Sequence, residues 1–365
     1  MSGRLRLLAR DSGTREGPLV ERDLVLDVVA RGIPEIRDGA WQVSRLRLHR
    51  VRKERAKRIA FLSLRYVDRA TGRIESEDIV AKLYGQPRHP PRRTSGAEAS
   101  LATLGALWTT GFRAPSPHRV PRPYGFLAAP PVLLQGLAPG RPWSDALSAE
   151  PAVQATESRR AADWLLALHA ATITALPATA DEADACRARA RELAGRFSWV
   201  ARTMVPAGER LAAALAAASP RALPSHGDFH PRNVFLSASG ATVIDFDTFG
   251  SREPAFDVGY AIGQLLIASY LRLGGFVAGA FAARAFWSRY ASLRDAGERR
   301  VALHVARALL QGLHYDLCTL RNGRVDLLAH WPAVIDEWID CPDVAGLLEL
   351  LAARAPRTRA AAARA

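Results

Sequence analysis

The chain has 365 residues, 48% hydrophobic and 24% charged, which excludes a disordered or fibrous protein and leaves room for two domains. Its three cysteines, Cys186, Cys318 and Cys341, are odd in number, lack CxxC spacing and come without histidine partners at metal-ligand intervals, which argues against a disulfide scaffold or a zinc site and for reduced thiols in the cytoplasm. A net charge of +14 raises the question of nucleic acid; the excess sits in residues 1–96, with 22 Lys+Arg against 12 Asp+Glu, and is densest at Arg45–Arg58.

In chain order, the basic N-terminus is broken by Arg10 and Asp11 and has no signal-peptide core. A helix is expected near Glu21–Arg31, within an N-terminal extension (1–40). Alternating or short apolar runs predict strands at Val43–His49, Ile59–Tyr66 and Ile79–Tyr84, the last two joined through Arg69–Gly72. No aromatic residue interleaves the basic run between Trp41 and Phe61, so it reads as a solvated face and no specific nucleic-acid partner is expected. A helix from Thr94 or Ser95 to about Thr110 and strands at Tyr124–Ala128 and Val132–Leu137 complete a sheet-bearing lobe over 41–137.

Beyond a linker at Ala138–Pro142 the pattern turns helical. Ala161, Trp164, Leu165 and Leu168 mark one helix face, and Asp181–Ala218 reads as further helix. Between Pro220 and Pro254 lies a strand-and-loop insert. The apolar stretch 258–286 is interrupted by Arg272 and Arg284, so it predicts buried helices and no membrane span. The helical lobe covers 138–352, and 353–365 is expected to be a frayed tail. The fold class is α+β, a small antiparallel-sheet lobe followed by a mostly helical one.

The chemistry concentrates in Ser225–Leu236 and Thr242–Gly250. A hairpin of Val234–Leu236 and Thr242–Phe246 would bring Asp228, Asn233 and Asp245 to one point. An amide oxygen beside a carboxylate suits a hard cation such as Mg2+, and a further carboxylate, Asp228, can take a proton from a substrate hydroxyl. That division of labour serves phosphoryl transfer, which needs positioning and charge neutralisation more than covalent help.

His226-Gly-Asp228, then Asn233, then Ile244-Asp245, resembles the catalytic and metal-binding loops of the aminoglycoside phosphotransferase and choline kinase group, relatives of the protein kinases. The resemblance runs over roughly residues 40–350 and implies a two-lobed protein-kinase-like fold and a kinase using ATP and Mg2+. It implies Asp228 as catalytic base, and Asn233 and Asp245 as metal ligands. Lys82, in Val80-Ala-Lys82, is implied as the contact to the α/β-phosphates and Glu98 as the residue holding it. Around Leu134–Leu137, including Gln135 and Leu137, the backbone would meet the adenine edge. His226 would hold the loop by hydrogen bonding and Asp257 would brace it. His230 either faces the γ-phosphate or packs in the loop.

One departure stands out. Between the first two strands, where kinases carry a glycine-rich loop, the chain has His49–Arg58 without a glycine. Basic side chains there could cradle phosphates instead, or the gap could mark a nucleotide-binding pseudokinase. Only eleven residues separate Asp245 from Asp257, too few for the segment on which protein kinases dock peptides, so the partner is expected to be a small-molecule hydroxyl acceptor. A polycationic aminoglycoside would need carboxylates such as Asp316, Asp326, Asp336, Glu337, Asp340 and Asp343. Acids on amphipathic helices are usually solvated, so a neutral or weakly charged acceptor is preferred and an aminoglycoside or macrolide resistance kinase is the runner-up. Trp287 is expected in the core rather than stacked on an acceptor. A third reading is an adaptor whose basic front binds a polyanion.

Overall fold

A computed structural model describes residues 27–53, 57–84, 95–129, 131–173, 182–216 and 222–353. The chain divides into two compact units, 1–139 and 140–365. The first is built on a five-stranded antiparallel sheet of β1 (Trp41–Lys53), β2 (Lys57–Asp68), β3 (Ile74–Tyr84), β4 (Pro123–Ala128) and β5 (Pro131–Gly136), in the order β1-β2-β3-β5-β4. The strands found by alternation are longer than expected. β1 continues through its basic residues because Leu46, Leu48 and Val51 keep facing the core side while Arg45, Arg47, Arg50 and Arg52 stay exposed. Only 54–56 of the glycine-free turn lie outside the described residues.

The β2–β3 connection is the predicted tight turn, with the Gly72 amide donating to the Asp68 carbonyl at 2.7 Å and Gly72 at φ +69°. The core on one sheet face holds Leu62, Leu64, Ile79, Ala81, Val132 and Leu134 together with Val28, Val29 and Ile33. Those last three come from residues 27–36. Helix is present at 27–32; the rest of the helix expected at Glu21–Arg31 lies outside the described residues. Helix α1 (Ser95–Thr109) packs against β4 and β5.

The second unit is mostly helical. Helix α2 (Pro151–Ala170) buries Ala161, Trp164, Leu165 and Leu168 completely, the face predicted from their spacing. The stretch expected as one helical region resolves into α3 (Glu182–Arg196) and α4 (Ala201–Ala216). Four short strands follow: β6 (Leu223–Ser225), β7 (Val234–Ser237), β8 (Gly240–Val243) and β9 (Gly250–Arg252). β7 pairs with β8, and β6 with β9. Helices α5 (Pro254–Leu273), α6 (Val277–Ala291), α7 (Glu298–His314), α8 (Trp331–Asp340) and α9 (Val344–Ala353) complete the unit. A π-helical turn, Tyr315–Leu320, extends α7. Trp287 is buried on α6, as expected of a core residue. Among the described residues no helix is long and apolar enough to cross a membrane.

Candidate active site

The loop His226–Asn233 is suspended between α2 and α5. Asp257, in the first turn of α5, is fully buried, and its carboxylate accepts from the Ser225 hydroxyl (2.9 Å), the His226 amide (2.7 Å) and the Gly227 amide (2.9 Å). His169, at the end of α2, brings Nε2 to 3.5 Å from the same carboxylate, and its Nδ1 meets the Tyr290 hydroxyl at 2.7 Å. Burial works to push the Asp257 carboxyl up, but His169, His226 and the Gly227 amide outweigh it and hold it down at about 2. Asp257 therefore enters the core as a carboxylate solvated by the loop.

Gly227 has φ +79°, and a Cβ there would lie 2.3 Å from the Thr248 carbonyl oxygen. Gly227→Ala is expected to cost at least the ~1–3 kcal/mol of a non-glycine left-handed residue, with the steric clash in addition. Urea unfolding of the variant would read this directly.

His226 is buried and held neutral, its desolvation outweighing Asp257 and Asp228. Its Nε2 faces the Ile244 carbonyl at 3.0 Å, which can only accept, and its Nδ1 faces the Asp228 amide at 3.2 Å, which can only donate. Two backbone groups thus select the Nε2–H tautomer and tie the loop to the residue before Asp245. Trp164 stacks on Phe229 at 5.7 Å and Phe246 packs on His226 at 4.7 Å, which closes the underside of the loop.

Asp228 emerges from this scaffold partly exposed. Its Oδ1 accepts from the Tyr260 hydroxyl at 2.8 Å and its Oδ2 from Asn233 Nδ2 at 3.2 Å; His230 Nε2 lies 3.5 Å from Oδ2. Burial raises the Asp228 carboxyl, yet His230, His226 and Tyr260 together hold it below its ordinary value, so it is ionised at neutral pH. The Arg232 amide donates to His230 Nδ1 at 3.1 Å, which leaves the His230 Nε2–H turned to Asp228. Burial, and then the Asp228 charge, push the Tyr260 hydroxyl up, so it remains a donor.

Asn233 is buried. Its amide nitrogen is spent on the Asp228 carbonyl (3.0 Å) and carboxylate, which turns its oxygen the other way. The Asn233 carbonyl accepts from the Ile244 amide at 2.9 Å, so the residue before Asp245 is fixed to Asn233. Asp245 itself lies past the end of β8, where a continued strand was expected, and it has φ +71°. That backbone region is rarely occupied by residues other than glycine, and strain of this kind concentrates at functional sites. Two oxygen donors, one amide and one carboxylate, suit a Mg2+ ion, which takes few protein ligands and keeps phosphate and water oxygens.

In the first unit Lys82 is buried on β3, in register with Ile59 and Leu133, while Val80 is opposite Gln135. Cross-strand neighbours share a face, so Lys82, Val80, Leu133 and Gln135 lie on the side opposite Ile79 and Ala81. Glu98 is exposed in the first turn of α1. The Leu137 amide donates to the Asp78 carbonyl at 2.9 Å and the Gly136 amide to the Arg122 carbonyl at 2.8 Å. An adenine at Leu137 would therefore meet its carbonyl or its half-exposed side chain, not its N–H.

A family model described as the phosphotransferase enzyme family matches residues 65–304, about two thirds of the chain. The chain belongs to that family. Solved structures similar to it carry the same two-lobed kinase-like fold. A choline/ethanolamine kinase family protein from Mesorhizobium loti is 14% identical, with 90% of this chain and 98% of that one covered and a TM-score of 0.54. A choline kinase from Cryptosporidium parvum is 11% identical, covering 90% and 99%, also at 0.54. A thermostable aminoglycoside phosphotransferase, in ternary complex with ADP and hygromycin B, is 15% identical, covering 81% and 94%, at 0.52. No curated protein matches the sequence significantly.

Within this phosphotransferase chain, sequence reasoning passed over Tyr260 and Tyr290 and gave Ser225 no role. The signal for Tyr260 was available: it stands three residues after Asp257, and residues three apart on a helix share a face. Ser225 and Tyr290 carry no such signal, because each is placed by strand pairing or helix packing with distant residues.

Proposed function

We propose that the protein is a kinase that moves the γ-phosphate of ATP to a hydroxyl of a small molecule with the help of Mg2+. The observation that carries this reading is the arrangement of three oxygen-bearing side chains on one rigid loop and hairpin. Asp228 is ionised and anchored at both oxygens, Asn233 is turned so that its oxygen is presented, and Asp245 is held in a left-handed backbone at the hairpin end.

In this reading Asp228 orients the acceptor hydroxyl and takes its proton, while Tyr260 and Asn233 fix the carboxylate in place. His230 points its Nε2–H to the same side and would contact the transferred phosphate. Asn233 and Asp245 would hold Mg2+, which when bound would bridge and neutralise phosphate oxygens. In the first unit Lys82 would contact the α/β-phosphates with Glu98 as its partner, and the strand end at Gln135–Leu137 would receive the base.

A small acceptor is supported by the chain between Asp245 and α5. Residues 250–252 are used as strand β9 against β6, and the helix begins at Pro254. No stretch remains there to dock a peptide. A polycationic acceptor is disfavoured by what the candidate acids already do. Arg210 pairs with Asp336 (3.5 Å) and Asp340 (3.0 Å), Asp343 caps the Gly346 amide, and Asp316 accepts from Asn322. A neutral or weakly charged hydroxyl compound fits better than an aminoglycoside.

The test is ADP release with Mg2+·ATP against pooled aminoglycosides, macrolides, amino alcohols, sugars and nucleosides. Signal from one pool supports the reading; nucleotide binding without turnover in any pool would favour a pseudokinase. Asp245→Ala is expected to abolish the Mg2+-dependent part of nucleotide affinity, checked by calorimetry with and without EDTA.

A further inference from the structure

Away from the candidate active site, three chemically different donors converge between α3 and the end of α7. A carboxylate oxygen of Glu192, a ring nitrogen of His314 and the Sγ of Cys318 all lie within 4.8 Å of one another. His314 Nε2 is already 2.7 Å from Glu192 Oε2. Cys318 is 8% exposed, and among the described residues its thiol makes no hydrogen bond. A thiol on a residue this little exposed, close to both an imidazole and a carboxylate, completes a donor set of the kind zinc takes.

The geometry points to a zinc site formed by Glu192, His314 and Cys318, with water in the fourth position, that ties α3 to the π-helical turn at Tyr315–Leu320. The donor set decides the metal. Thiolate and imidazole together select Zn2+ over Mg2+ and Ca2+, which take oxygen ligands, so this site would not compete for the Mg2+ of the phosphotransferase reaction. The π turn contributes as well. His314 and Cys318 stand four residues apart, neighbours on a helix surface, and the wider turn beginning at Tyr315 lies between them.

The cysteines were expected to lack CxxC spacing and histidine partners at metal-ligand intervals, yet His314 stands four residues ahead of Cys318. Glu192 lies more than 120 residues upstream in the chain and is brought there only by helix packing.

Binding converts the Cys318 thiol to a zinc-bound thiolate and releases its proton to solvent; His314 binds as neutral imidazole and Glu192 as carboxylate. Burial pushes the free thiol up, so it carries its proton at neutral pH until the cation displaces it.

The experiment uses the full-length protein, freed of metal by chelation and reduced. Titration with Co2+, a spectroscopic stand-in for Zn2+, is expected to give a thiolate-to-cobalt charge-transfer band that saturates at one equivalent and is discharged by Zn2+. Zinc should raise the melting temperature and protect Cys318 from a thiol reagent. Loss of an outer hydrogen-bond partner alone weakens a zinc site by about 10–100-fold, so Cys318→Ser and His314→Gln should each weaken it by at least about 100-fold. Each variant's own metal-free melting temperature is the baseline, and zinc should raise it in neither. Absence of a charge-transfer band, or a band and zinc affinity unchanged in Cys318→Ser, would overturn the proposal. No outcome depends on phosphotransferase activity.

Discussion

Replacing Asp228 by asparagine is expected to lower phosphoryl transfer by about 10²–10⁴-fold, the range typical of a lost general base. The substitution keeps an oxygen for the Tyr260 hydroxyl but places an amide nitrogen opposite Asn233 Nδ2, and it removes the charge that faces His230. Nucleotide affinity should change little, since Asn233, Asp245 and Lys82 are untouched. The check is single-turnover transfer to the active acceptor, with nucleotide binding measured on the same preparation. Turnover near the parent rate would remove Asp228 from its proposed role.

The second large effect is on stability. Asp257→Asn retains the shape but offers only one accepting oxygen to the three donors of Ser225, His226 and Gly227, and turns an NH2 group towards them. Breaking a fully buried charge network of this kind costs about 3–5 kcal/mol, readable as a shift in the urea midpoint at unchanged slope. The pH dependence follows from the direction of the shift. The folded carboxyl is depressed from 3.8 to about 2, so its contribution is complete above about pH 4 and is lost as pH falls towards 2. The parent should lose stability over that window, and the variant should lack that component. Identical acid profiles for both would show that Asp257 does not carry the charge assigned to it.

These two residues illustrate how differently site and scaffold are written in the chain. Asp228, Asn233 and Asp245 could be found because a short loop and hairpin keep them within eighteen residues of one another, and His-Gly-Asp followed by Asn and Ile-Asp is a joint pattern that chance seldom supplies. Asp257 was legible through the resemblance alone, as the aspartate expected to brace the loop. What it does there, accepting from two amides and a hydroxyl while His169 approaches from another helix, depends on contacts separated by 30 residues or more.

The strands of the first unit were readable from alternation, but their ends were not. β1 runs past His49 because its core-facing positions stay apolar amid a run of arginines, and that distinction between two faces exists only once β2 is paired with it. Asp245 shows the same limit at one residue. Its identity was evident from sequence, whereas its left-handed backbone was not, since an extended apolar run gives no hint of where a strand breaks.

By itself, then, the sequence determined the α+β order of elements and the helix faces, and it singled out the groups proposed to react, all of which rest on local periodicity and short motifs. Tertiary structure alone decided the protonation and orientation of those groups. The neutral His226 tautomer, the ionised Asp228 held by Tyr260, the spent acids around Arg210 and the meeting of Glu192 with His314 and Cys318 each depend on partners distant along the chain. Burial and hydrogen bonding from such partners set charge and direction in a protein interior, and no local pattern encodes them.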